Sequence, residues 1–195
     1  THEQIMIGAR EQQKRFKTFI RAQENDVGYE FNTGFFSSPD AEVLYTIIRM
    51  FRPRHIVEVG FGNSTKIIRQ AIIDGCFPAV LTCIDPLPRY DVSRLADRVV
   101  SKPVETLDPM ELVRSLRVDG LLFIDTSHEV KPANDVAFIY GCLLPLVPGG
   151  TLLQIHDIFL PFEYVPEAVI NEGLTWGEQY IVREMLQANN DWEVL

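Results

Sequence analysis

The chain has 195 residues, 46% of them hydrophobic and 23% charged, enough for one globular domain with a sizeable core. Its 18 Lys and Arg against 27 Asp and Glu leave a formal charge of −9, which excludes the basic footprint of a nucleic-acid surface. No apolar run approaches the roughly 20 residues that span a bilayer. The three cysteines, Cys76, Cys83 and Cys142, are scattered without paired spacing, a pattern that fits a reducing, cytoplasmic compartment.

Residues 3–24 read as a polar helix with apolar points at Ile5, Ile7, Phe16, Phe19 and Ile20. A loop through Gly34 and Ser37 follows. Ser38-Pro39-Asp40 then reads as a helix start, with Ser38 as the N-cap and proline at the first helical position. That helix runs through Leu44 and Ile48 to about Phe51. Residues 1–52 are thus expected to form a helical segment packed on a core unit over 53–195.

From Arg54 short apolar runs alternate with helical stretches. Strands are predicted at His55–Val59, Val80–Ile84, Arg98–Val100, Leu121–Ile124 and Thr151–Ile155. Helices are predicted at Thr65–Asp74, weakly near Asp91–Ala96, at Met110–Leu116 and at Asn134–Leu143. Four of the five runs are almost continuously apolar, as parallel strands covered on both faces are. The alternation predicts an α/β fold: a doubly wound, mostly parallel, Rossmann-like sheet with helices on both faces. A loop carrying Phe159, Phe162, Tyr164 and Trp176 reads as a lid or substrate wall, with a satellite core under the loop as the alternative. A helix over about Glu178–Ala188 and a short strand at Trp192–Leu195 complete the expectation.

Chemistry concentrates at the predicted strand ends, where open α/β sheets bind ligands. Val57-Glu58-Val59-Gly60-Phe61-Gly62-Asn63-Ser64-Thr65 is a strand, a glycine turn and a helix start. A dinucleotide fingerprint requires a third glycine where Thr65 stands, and the acidic Glu58 suits a positively charged ligand better than a pyrophosphate. Asp85 ends the second strand 25 residues after Gly60, near the spacing at which an acidic side chain accepts hydrogen bonds from a ribose diol. Asp125 and His128 follow the fourth strand, and His156 and Asp157 follow the fifth. Asp125, His156 and Asp157 are a candidate divalent-metal set, its oxygens favouring Mg²⁺ or Mn²⁺ and its imidazole admitting later metals. The bland reading of all four is loop capping and hydrogen bonding to nearby backbone.

These segments, with Ile84-Asp85-Pro86, Phe123 to His128, Pro148-Gly149-Gly150, His156 to Phe162 and Glu178-Gln179-Tyr180, resemble the class I S-adenosylmethionine (SAM) dependent methyltransferases, chiefly bacterial small-molecule members. The likeness runs from about Asp40 to Leu195. It implies that Glu58, Gly60, Gly62 and Ser64 face the methionine part of SAM, that Asp85 holds the ribose, and that Lys102–Glu105, Val104 among them, borders the adenine, with Asp125 also beside the cofactor. A more distant likeness, to magnesium-dependent catechol-type O-methyltransferases, sets Asp125 as the first metal ligand and His156-Asp157 where an Asp-Asn pair would stand. It also puts His128, three residues beyond Asp125, at the general-base position, with His156 next in line. The expected function is methyl transfer to a hydroxyl of a small-molecule acceptor, with no nucleic-acid or membrane partner. The alternatives are a catalytically inactive SAM-binding or regulatory module and, less favoured, a nicotinamide-dependent oxidoreductase.

Overall fold

A computed structural model describes residues 1–19, 26–31, 34–88, 91–188 and 191–195. Five strands, β1 (His55–Val59), β2 (Val80–Ile84), β3 (Arg98–Val100), β4 (Leu121–Ile124) and β5 (Leu152–Ile155), form one sheet in the order β3-β2-β1-β4-β5. Every pairing is parallel. The chain order reverses between β1 and β4, so the carboxyl ends of these two strands flank the crevice where such sheets bind ligands.

Strand alternation builds one core on each face of the sheet. Ile56, Leu81, Cys83, Leu121 and Phe123 face α2 (Asp40–Phe51) and α3 (Asn63–Gly75), and α1 (His2–Phe16) lies over α2 with Phe16 fully buried. Val57, Val59, Leu122 and Ile124 face Leu112 and Leu116 of α4 (Pro109–Leu116), together with Ile139 and Leu143. Helices therefore cover both faces, as the alternating pattern requires. No helix among the described residues is long and apolar enough to cross a membrane.

Several local expectations give way. The first helix stops at Phe16, and residues 20–24 of its predicted span lie outside the described residues. Ser38 does not cap α2: its Oγ accepts a hydrogen bond from Gln13 Nε2 at 3.0 Å, and Pro39 holds the N-cap position. Asp91–Ala96 forms turns rather than a helix, with Asp91 Oδ1 accepting from the Ser93 amide at 2.9 Å. The helix over 134–143 is α5 (Asp135–Phe138), capped by Asn134 and widening into a π-helical turn at Ile139–Leu143. Trp192–Leu195 forms no strand. The aromatic loop contains α6 (Pro166–Asn171) and leads into α7 (Glu178–Ala188).

Candidate functional site

The crevice holds a cavity of ≈ 1240 Å³ running from the glycine turn to the loops after β4 and β5. Gly60 shapes its floor. With φ at +74° it occupies the left-handed region, and a Cβ there would lie 1.8 Å from the Asp125 carbonyl oxygen. Only glycine permits this approach of two strand ends.

Glu58 sits elsewhere than the resemblance implies. It shares its strand face with Ile56 and so points under the first turn of α3, fully buried and outside the cavity lining. Its carboxylate accepts from Ser64 Oγ at 2.6 Å, Thr65 Oγ1 at 2.8 Å and Cys83 Sγ at 3.1 Å. Burial lifts its pKa to about 7 against the pull of these three donors. Thr65 Oγ1 also accepts from the Gly62 amide at 3.1 Å. The residue that breaks the dinucleotide fingerprint thus ties the turn to the strand below it. Ser64 lines the cavity, but its hydroxyl is committed to Glu58.

Gly60, Gly62, Asp85 and Val104 line the same half of the cavity. One Asp85 oxygen accepts from the Leu87 amide at 2.7 Å, which fixes the carboxylate at the end of β2. Val104 is buried in the wall beside it.

The other half is formed by Gly34–Ser37, Asp40, the loop from Asp125, His156, Asp157 and Trp176. The Asp125 amide donates to Val59 O at 2.8 Å, pinning the start of this loop to β1. His128 is 4% exposed, with backbone φ at +58°. Its Nδ1 lies 2.7 Å from Glu178 Oε2. A carboxylate only accepts, so Nδ1 carries hydrogen and Nε2 faces the cavity. Glu178 is itself fully buried at the start of α7, accepting also from Thr126 Oγ1 at 2.7 Å and Tyr140 Oη at 2.8 Å. The Gly177 amide donates to His128 O at 2.8 Å, and the Trp176 ring packs 4.4 Å from the imidazole. The strand-end reading gives Glu178, Thr126 and Tyr140 no role, although Glu178 and Thr126 stand in segments that carry the resemblance.

His128 Nε2 stands 3.3 Å from Asp125 Oδ1 and 3.6 Å from Asp157 Oδ2. Burial opposes charge on this ring, but the carboxylates of Asp125 and Glu178 prevail and lift its pKa to about 9. That shift works against its serving as a free base near neutral pH. Asp125, His128 and Asp157 each offer a ligand atom within 4.8 Å of the others. His128, rather than His156, completes that cluster.

The His156 ring packs 5.0 Å from Phe36. Nδ1 lies 3.1 Å from Asp157 Oδ1 and Nε2 3.7 Å from Asp40 Oδ2, yet neither nitrogen makes a hydrogen bond among the described residues. Its pKa is raised: burial works against the charge, while Asp157, Asp125 and Asp40 outweigh it. Asp40 is raised chiefly by burial, and Asp157 is lowered, its burial outweighed by His156 and His128.

Of the four aromatic residues of that loop, Trp176 alone lines the cavity, where Glu172 of the same loop joins it. Tyr164 is buried against Phe159, Trp176 and Tyr180, with ring centroids 5.6, 5.7 and 6.2 Å away, while Phe162 is exposed. The loop is a small aromatic core more than a lid. Comparison with family models, with curated proteins and with solved structures gives no match.

Proposed function

We propose that the chain is a SAM-dependent methyltransferase acting on a hydroxyl of a small molecule. The observation that carries this reading is one continuous cavity. It joins a glycine turn, a strand-end carboxylate and an apolar wall at one end to an Asp/His cluster at the other. SAM bound there supplies a sulfonium methyl group, which an acceptor oxygen attacks with a lone pair as the carbon–sulfur bond breaks to a thioether.

The chain's own part is alignment, exclusion of water and handling of one proton. Asp85 keeps an oxygen for the ribose hydroxyls after its bond to Leu87. Val104 supplies an apolar wall for the adenine, and Gly60 lets the donor lie against backbone. Glu58 braces the turn from beneath rather than touching the donor. At the acceptor end His156, whose ring nitrogens are buried and without hydrogen bonds among the described residues, takes the hydroxyl proton once it has lost its own, a loss that its raised pKa sets above the ordinary histidine range. His128, held by Glu178, contributes position. The acidic lining, with Asp40, Asp125, Asp135 and Asp157, favours a neutral or cationic acceptor over an anionic one.

Calorimetric titration with S-adenosylhomocysteine and with NAD tests the donor assignment: the first should bind stoichiometrically and the second should not. Methyl transfer to a panel of hydroxylated acceptors then separates an enzyme from a SAM-binding module without catalysis. Tight NAD binding without S-adenosylhomocysteine binding would overturn the reading.

A further inference from the structure

The cluster after β4 and β5 keeps the two carboxylates of the metal set that the strand-end pattern predicts, but its imidazole is His128 rather than His156, supported from behind by Glu178. We infer that Asp125, His128 and Asp157 form a divalent-cation site in which Glu178 fixes the imidazole ligand, and that this site prefers Mn²⁺ and later transition ions to Mg²⁺. The inference deepens the methyltransferase reading by assigning a cation to the acceptor end, but its test requires no methyl transfer.

Spacing is the first argument. Ligands side by side around a six-coordinate ion at about 2.1–2.2 Å lie about 3 Å apart. The separations of 3.3 and 3.6 Å from His128 Nε2 to the two carboxylates are close to that value. They are also wider than the roughly 2.7–2.9 Å of a direct charge-assisted bond. Side-chain exposures of 38% for Asp125 and 30% for Asp157 leave the cluster open to an ion entering from the cavity.

The second argument stands outside the cluster. Ligating histidines characteristically donate their other ring N–H to a carboxylate, which fixes tautomer and orientation and strengthens the ligand. Glu178 does this at 2.7 Å from a fully buried position, held in turn by Thr126 and Tyr140. His128 and Asp157 both line the cavity, from backbones at φ of +58° and +54° that L-residues adopt at a cost. Asp125, Asp157 and Glu178 outnumber the single positive charge that His128 can carry, and a cation bound at Nε2 takes the place of its proton, which is released to solvent.

The preference follows from the nitrogen. Mg²⁺ takes oxygen ligands and gives up its waters reluctantly, whereas imidazole suits transition ions, whose affinities generally rise along the first row. A pre-oriented nitrogen ligand therefore contributes far more to Mn²⁺, Co²⁺ or Zn²⁺ than to Mg²⁺.

The full chain, stripped with chelator, is titrated with Mn²⁺ by electron paramagnetic resonance and with Mg²⁺ by calorimetry. One Mn²⁺ per chain is expected, bound about ten-fold or more tightly than Mg²⁺. His128→Gln, which replaces nitrogen by oxygen, should bring the two affinities to within a few-fold, and Asp157→Asn should weaken both. Glu178→Gln should weaken Mn²⁺ by roughly 10–100-fold, with folding checked by circular dichroism; should it not fold, the His128 and Asp157 variants carry the test. Absence of stoichiometric Mn²⁺ binding, equal affinity for Mg²⁺, or His128→Gln retaining the wild-type preference would overturn the proposal. S-adenosylhomocysteine affinity measured in chelator reports separately on the methyl-donor reading.

Discussion

Replacing Glu58 by glutamine isolates the carboxylate beneath the glycine turn. Its pKa rises from 4.5 to about 7 because burial disfavours the charge more than its three donors favour it. A raised carboxylate pKa means that the folded chain binds more proton than the unfolded one between about pH 4.5 and 7. Stability from this group is therefore complete below the unfolded value and is lost as pH rises through the folded one. At 1.36 kcal/mol per unit, the swing is on the order of 3 kcal/mol. Glu58→Gln retains an acceptor for Ser64 and Thr65 and removes the titration. In urea unfolding with chelator present, wild-type stability minus variant stability should fall by about 3 kcal/mol across that window, groups common to both chains cancelling. A pH-independent difference would refute the buried-brace assignment and return Glu58 to the ligand-facing role implied by the resemblance.

Gly60→Ala should destabilise the chain by more than about 2 kcal/mol, since the left-handed backbone alone costs roughly 1–2 kcal/mol and the new Cβ meets the Asp125 carbonyl. Thermal unfolding measures this, and wild-type stability would contradict the close approach. Asp85→Ala should weaken S-adenosylhomocysteine by on the order of 1–3 kcal/mol by calorimetry, and an unchanged affinity removes the ribose assignment. His156→Gln should lower turnover by roughly 10²–10⁴-fold while leaving donor affinity intact. The wild-type rate should rise with pH through a value above the ordinary histidine pKa of 6.5, the direction in which His156 is shifted. Near-normal turnover in the variant would send the search for the base back to His128.

Four of the five strands coincide with their apolar runs residue for residue, and β5 begins one residue later than expected, at Leu152. Of these, β1, β2 and β4 are legible because strands covered on both faces leave little room for polar residues, whereas β3 is a short, largely exposed edge strand. The strand ends, and with them Asp85, Asp125, His156 and Asp157 on one cavity, followed from the parallel topology. What eluded the pattern depends on contacts distant in sequence. Glu178 meets His128 across 50 positions, and no local periodicity records that meeting. The side to which Glu58 points follows from strand parity, but its role as a brace depended on finding α3 hydroxyls above it. Ser38 reads as a cap by residue type, yet its hydroxyl is drawn to Gln13 of α1 by tertiary packing. The basicity of His128 and His156 is set by neighbouring carboxylates, so the textual spacing from Asp125 to His128 foresaw proximity but not protonation.

The most direct test of the account is calorimetric titration of the chelator-treated chain with S-adenosylhomocysteine, in the wild type and in Asp85→Ala. The account predicts one binding site per wild-type chain, with an affinity that falls by about ten-fold or more in the variant. A wild-type chain that takes up NAD but no S-adenosylhomocysteine would contradict it.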